Sequence, residues 1–204
     1  MNSLFFLGGP VMYALLACSV VSLAVVLERA VFWLALRWRR DRRAVELLIS
    51  LAAGGRLNAA ARAAEKSKDY YAGVVGRALA LARSSGPVPP GRLAEAALAA
   101  ELPGLRRYLP VLDTVITAAP LLGILGTVAG IITAFGFLSP AGGDPRAVTG
   151  GIATALLTTA AGLVVALMSL VPYNYFLTRA EDAAAEIEKT VLRLRFPAGE
   201  ELEG

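Results

Sequence analysis

The sequence predicts an all-α membrane protein: three transmembrane helices with long cytoplasmic helical extensions, N-terminus out and C-terminus in. Three observations carry this. No charged side chain occurs in residues 1–27, 114–143 or 147–178, and each run exceeds the roughly 20 apolar residues that a spanning helix needs. The chain is 56% hydrophobic and 18% charged, with a mean hydropathy of +0.61, whereas soluble domains carry about 25% charged residues. The basic residues are unevenly spread: 14 lie in 37–108, four after residue 178, and one, Arg146, between the second and third runs. Positive charge accumulates on the cytoplasmic side of membrane proteins, so this asymmetry sets the orientation.

The same composition excludes other classes. A single cysteine, Cys18, forms no internal disulfide framework, and a chain without histidine lacks the commonest metal ligand. No metal site or cofactor is expected, and no catalytic residue. The net charge of +4 sits beside the hydrophobic runs, where it orients the protein, so nucleic acid is not an expected partner; the lipid membrane is. Leu15-Leu16-Ala17-Cys18 looks like a lipidation site. However, no Lys or Arg precedes the apolar run, which continues nine residues beyond the cysteine. An uncleaved first span is the expectation.

Residues 1–36 form the N-terminal segment and first transmembrane helix. It ends at Arg37-Trp38-Arg39-Arg40-Asp41-Arg42-Arg43, five arginines in seven residues. Trp33 and Trp38 suit the aromatic belt there. Glu28 and Arg29 lie in the last turns, read as a pair snorkelling to the cytoplasmic interface or, alternatively, as a subunit contact; otherwise the span is expected to face lipid. Residues 37–109 are a cytoplasmic helical region. Val45, Leu47, Leu48, Leu51 and Ala52 recur at helical spacing until Gly54-Gly55, and a second helix is expected over 72–83. The chain breaks at Ser84-Ser85-Gly86-Pro87-Val88-Pro89-Pro90. A third helix is expected from Gly91 toward the membrane, bent at Pro103 and Pro110.

The second transmembrane helix covers 110–138, a periplasmic turn 139–146, and the third transmembrane helix 147–177. A cytoplasmic helical tail covers 178–204; Ala183, Ile187, Val191 and Leu194 mark its apolar face.

The second and third spans differ in kind from the first. Ala119, Gly123, Gly126, Gly130 and Ala134 line one face of the second; Gly151, Ala155, Gly162, Ala166 and Ser169 line one face of the third. Small residues at this spacing let helix backbones approach closely in lipid, so both stripes predict tight packing and oligomerisation. Hydroxyls follow: Thr114, Thr117, Thr127 and Thr133, then Thr154, Thr158, Thr159 and Ser169. Singly, each is explained by a bond to its own helix carbonyl. Together, Thr127, Thr154, Thr158 and Thr159 are the candidates for a polar path. Neither span holds a titratable group in its central turns, so if the chain conducts protons the acceptor must come from a partner. Asp113, at the membrane edge of the second span, is the nearest carboxylate and is read as hydrated.

Ala119-Pro120-Leu121-Leu122-Gly123-Ile124-Leu125-Gly126-Thr127-Val128-Ala129-Gly130-Ile131-Ile132, followed by Phe135, resembles the second-span signature of the MotA/TolQ/ExbB proton channel family. Gly151-Ile152-Ala153-Thr154-Ala155-Leu156-Leu157-Thr158-Thr159-Ala160-Ala161-Gly162-Leu163, closing in Pro172-Tyr173-Asn174, resembles its third-span signature. The resemblance extends over most of the chain and is nearest to ExbB and TolQ. It implies a homopentamer around a dimer of a single-span ExbD/TolR-like partner whose intramembrane aspartate carries the proton. Thr127 and Thr159 match the polar threonines that face it. Proton flow would turn the partner inside the ring and pass movement to a TonB/TolA-like periplasm-spanning protein. Thr154 departs from the family, since ExbB and TolQ usually carry a glutamate there. The flagellar MotA branch, with four spans, fits less well.

The resulting expectation is a channel-forming stator subunit energising outer-membrane transport or envelope maintenance. A related motor for gliding or surface transport is one alternative, and a non-conducting scaffold or small transporter another. An adjacent gene for a single-span protein with a membrane aspartate separates the motors from the scaffold.

Overall fold

The computed structural model describes residues 9–85, 88–136 and 145–194. They form seven helices: α1 (Gly9–Trp38), α2 (Arg42–Ala53), α3 (Leu57–Lys66), α4 (Tyr70–Ser85), α5 (Pro90–Leu105), α6 (Leu109–Gly136) and α7 (Pro145–Leu192). Three of these, α1, α6 and α7, are long and apolar enough to cross a membrane. The expected turn at 139–146 lies mostly outside the described residues.

The chain divides into two compact units. One contains the chain up to Arg29 with Tyr108–Phe176; the other contains Ala30–Arg107 with the chain from Leu177 onward. In the first, Met12 and Leu15 of α1 pack with Val115 and Ala119 of α6 and Ala166 of α7. The buried hydroxyls of Ser22 and Ser169 hydrogen-bond at 2.6 Å, tying α1 to α7. A buried hydroxyl pair in an apolar bundle satisfies two groups that lipid would leave unpaired. The first span therefore does not merely face lipid: one stripe of it is packed.

The second unit holds a larger core of Leu, Val, Ile and Ala. It includes Leu48, Val75, Leu79, Leu93 and Leu105 from the short helices and Ala180, Ile187 and Val191 from α7. Helix starts are chemically fixed. Asp41 caps α2, accepting from the backbone N–H groups of Arg43 and Ala44 at 3.0 and 3.1 Å. Asp69 does the same for α4 through Tyr71 and Ala72 at 2.7 and 3.0 Å. Each satisfies donors that a helix N-terminus leaves orphaned. Pro89 and Pro90 open α5, where the missing N–H costs nothing. Tyr70 donates to Glu101 at 2.7 Å; burial, then this carboxylate, raises its phenol above the ordinary pKa.

Three elements differ from the sequence expectation. The helix expected from Gly91 does not bend through to the second span. It stops at Leu105, and Tyr108 adopts φ 63° before α6 begins. Left-handed backbone at a non-glycine residue ends helical propagation, and Pro110 falls in the first turn of α6, where proline is tolerated. Next, α3 is an additional helix whose fully buried residues, Ala60 and Ala64, are too small to register as an apolar stripe. Finally, the third span and the tail are one helix, α7, of 48 residues.

Candidate functional site

The glycine stripes of α6 and α7 face each other in antiparallel order. A Cβ added at Gly123 would lie 3.0 Å from the Thr159 Cα; at Gly126, 2.6 Å from the Thr158 Oγ1; at Gly130, 2.8 Å from the Ala155 Cβ; at Gly151, 2.7 Å from the Ala134 Cβ. At Gly162 it would overlap the Ala119 carbonyl oxygen. Since real Cβ contacts rarely fall below about 3.4 Å, these positions demand glycine for proximity. The stripes, assigned from sequence to oligomerisation as well as packing, are thus occupied within the chain. Their small side chains let two backbones meet, and the outward faces are left to large residues such as Leu121, Ile132, Leu167 and Met168.

This proximity brings three hydroxyls onto one carbonyl. The Gly123 oxygen accepts from Thr159 Oγ1 at 3.0 Å, from Thr127 Oγ1 at 3.1 Å and, more loosely, from Thr158 Oγ1 at 3.4 Å. Thr127 Oγ1 also lies 3.2 Å from the Ala155 oxygen and hydrogen-bonds directly to Thr159 Oγ1. Each hydroxyl has one proton, so these contacts are alternatives among which the protons distribute. Thr158 is buried and held to its own helix by a 2.7 Å bond to Ala155. Thr127 and Thr159 are half-buried, so they combine a cross-helix bond with access from outside the pair.

The remaining threonines separate cleanly. Thr114, Thr117 and Thr133 bond the carbonyl four residues back and are exposed, which suffices to explain them. Thr154 is half-buried and lies one turn from Thr158. Its hydroxyl has no hydrogen-bond partner among the described residues.

Of the Glu28–Arg29 pair, Glu28 is exposed but Arg29 does not behave as a snorkelling residue. Arg29 is 1% exposed; its guanidinium forms a bidentate contact with Glu28 at 2.5 and 2.7 Å and lies 5.8 Å from the centroid of the Tyr108 ring. An arginine enclosed this way is held by charge pairing and by the aromatic face, not by water. Asp113 is exposed on α6. Two features had little signal in the sequence. The Ser22–Ser169 link joins residues 147 apart, and the Gly123 carbonyl is invisible to side-chain patterns.

An antiparallel, glycine-packed helix pair with a shared hydroxyl cluster and no charge in its apolar runs defines a class of polytopic membrane protein. The match to the MotA/TolQ/ExbB proton channel family model covers residues 75–189, more than half of the chain, and the chain belongs to that family. It is 37% identical over 174 residues to the biopolymer transport protein ExbB-like 3 of Synechocystis sp., covering 83% of this chain and 81% of that one. It is 38% identical over 177 residues to ExbB-like 1 of the same organism, covering 83% and 68%. The Tol-Pal system protein TolQ of Pseudomonas aeruginosa is 37% identical over 91 residues, 44% of this chain and 39% of that one. Family and helices together make the protein a multi-pass, non-enzymatic component of the bacterial inner membrane.

Proposed function

We propose that the chain is the channel-forming stator subunit of a proton-driven motor. In this reading its N-terminus is outside, five copies surround a dimer of a single-span partner, and Thr127 and Thr159 face that partner's membrane carboxylate. Transport across or maintenance of the envelope is the output, relayed by a periplasm-spanning protein. The supporting observation is the Thr127–Thr159 hydrogen bond between two spans whose apolar runs, 114–143 and 147–178, carry no charged side chain. A carboxyl group in a membrane interior is costly as an anion. A hydroxyl donates to the anion and accepts from the acid, so a threonine pair accommodates both protonation states of one passing group without carrying charge.

The test is partner-dependent proton flux in vesicles. Thr127→Val and Thr159→Val preserve shape and remove the hydroxyl; each is expected to lower flux at least tenfold, about 1.4 kcal/mol on the barrier, with the complex still assembled. Wild-type flux in both variants would reduce the pair to a packing contact.

A further inference from the structure

Immediately after α1, the second unit contains an open cleft of about 500 Å³ whose lining includes Trp38, Arg39, Arg40, Lys66, Lys68 and Asp69. Four cations and two carboxylates line it, counting Asp41, but the carboxylates are already committed. Asp41 caps α2, and Asp69, fully buried, accepts the backbone N–H groups of Asp41, Tyr71 and Ala72. Arg40 pairs with Glu186 through one terminal nitrogen and stacks 3.8 Å from the Tyr71 ring centroid. Its other terminal nitrogen, Nη1, has no hydrogen bond and reaches Asp69 only at 3.9 Å. Arg39, Lys66 and Lys68 have no ion-pair partner among the described residues. The cleft is therefore positive and rich in unspent donors.

We propose that this cleft binds the phosphate of an anionic phospholipid headgroup, with Arg39, Lys66 and Lys68 as its ligands and Arg40 as a fixed positive wall. The source of the phosphate follows from position. The cleft begins where the apolar run of α1 ends, and Trp38, 80% exposed, is the amphipathic ring that favours the headgroup level. Basic residues flanking a span attract anionic lipid. Here a concave site with three unpaired cations adds a defined place for one headgroup. The inference needs α1 to cross the membrane and is independent of the channel reading.

Native mass spectrometry of the full-length complex, after exchange into phosphatidylglycerol or phosphatidylcholine, provides the test. Phosphatidylglycerol is expected to remain bound at one molecule per chain and phosphatidylcholine to be lost. K66A/K68A is expected to weaken retention by on the order of tenfold or more, while K66R/K68R restores it and R42A/R43A, outside the cleft lining, leaves it intact. Equal losses in the cleft pair and in R42A/R43A would overturn the proposal in favour of diffuse attraction. Inorganic phosphate competing as well as the lipid at equal concentration would overturn the lipid assignment. If K66A/K68A does not fold, Lys68→Gln alone, exposed and beyond the end of α3, provides the same readout: unchanged retention overturns the proposal.

Discussion

The two units of this protein solve the packing problem in opposite ways. In the unit built from α1, α6 and the first part of α7, the contact between α6 and α7 is made by glycine, alanine and hydroxyl groups, and most large apolar side chains point outward. In the unit built from the short helices, large apolar side chains point inward and charged residues cover the outside. The difference follows from solvent. Water drives bulky apolar groups together, whereas lipid gives them no reason to leave it, so helices there associate through close backbone contact and hydrogen bonds. Small residues in one unit thus hold the position that large ones hold in the other.

The sharpest way to break this comparison is to place bulk where the membrane unit requires none. Gly162 lies against the Ala119 carbonyl and 3.1 Å from the Gly123 Cα, measured from an added Cβ. Gly162→Leu is expected to destabilise that unit by about 3 kcal/mol or more, the upper end of overpacking costs, because both obstacles are backbone. The intact complex should be lost from size-exclusion profiles, with Gly162→Ala intermediate. A normally assembled Gly162→Leu complex would show that α6 and α7 do not depend on close approach.

The converse change belongs in the other unit. Leu79 of α4 is fully buried in the apolar core, and Leu79→Ala removes side-chain bulk there. A loss of about 2–5 kcal/mol is expected, read as a lower melting temperature of the purified complex. Truncating an outward-facing leucine of the membrane unit, such as Leu121, should leave it unchanged. Similar effects at the two leucines would erase the contrast, or reveal that Leu121 is covered by another chain.

How much of this was legible depended on which unit was read. The spans announced themselves through uncharged runs, and both small-residue stripes were visible because helical periodicity preserves them in one dimension. What the stripes touch was not visible: Gly126 against Thr158 is a tertiary fact, and from sequence the same pattern equally suggests a neighbouring subunit. Thr127 and Thr159 were candidates from their depth in the apolar runs, but only the family resemblance set them apart from Thr154 and Thr158. The alanine-rich α3 escaped notice because Ala60 and Ala64 carry almost no hydrophobic signal. The burial of Arg29 was not readable, because Tyr108, whose ring it approaches, lies 79 residues away in the chain. Local chemistry was readable; the partners brought by folding were not.

The smallest expected effect lies on the exposed face of the second unit. Arg193 donates to both Glu46 carboxylate oxygens at 2.8 Å. These hydrogen bonds, reinforced by Coulomb attraction and opposed by slight desolvation, hold the Glu46 carboxyl below its ordinary pKa. A lowered folded-state pKa means that the stabilising contribution is complete above the unfolded value, about 4.3, and disappears as pH falls through the lowered one. Both side chains are more than half exposed, so solvent and salt screen the pair. Glu46→Gln should lower the melting temperature only slightly at neutral pH, and the difference should vanish in strong acid and shrink in high salt. This pair and Glu28–Arg29 involve the same two residue types, yet in the second the arginine is buried while in the first both side chains are exposed. A Glu46→Gln effect that persisted in acid and in high salt would mean that Arg193 is fixing the α7 end against α2 by shape, and the contrast between the units would then not extend to their charges.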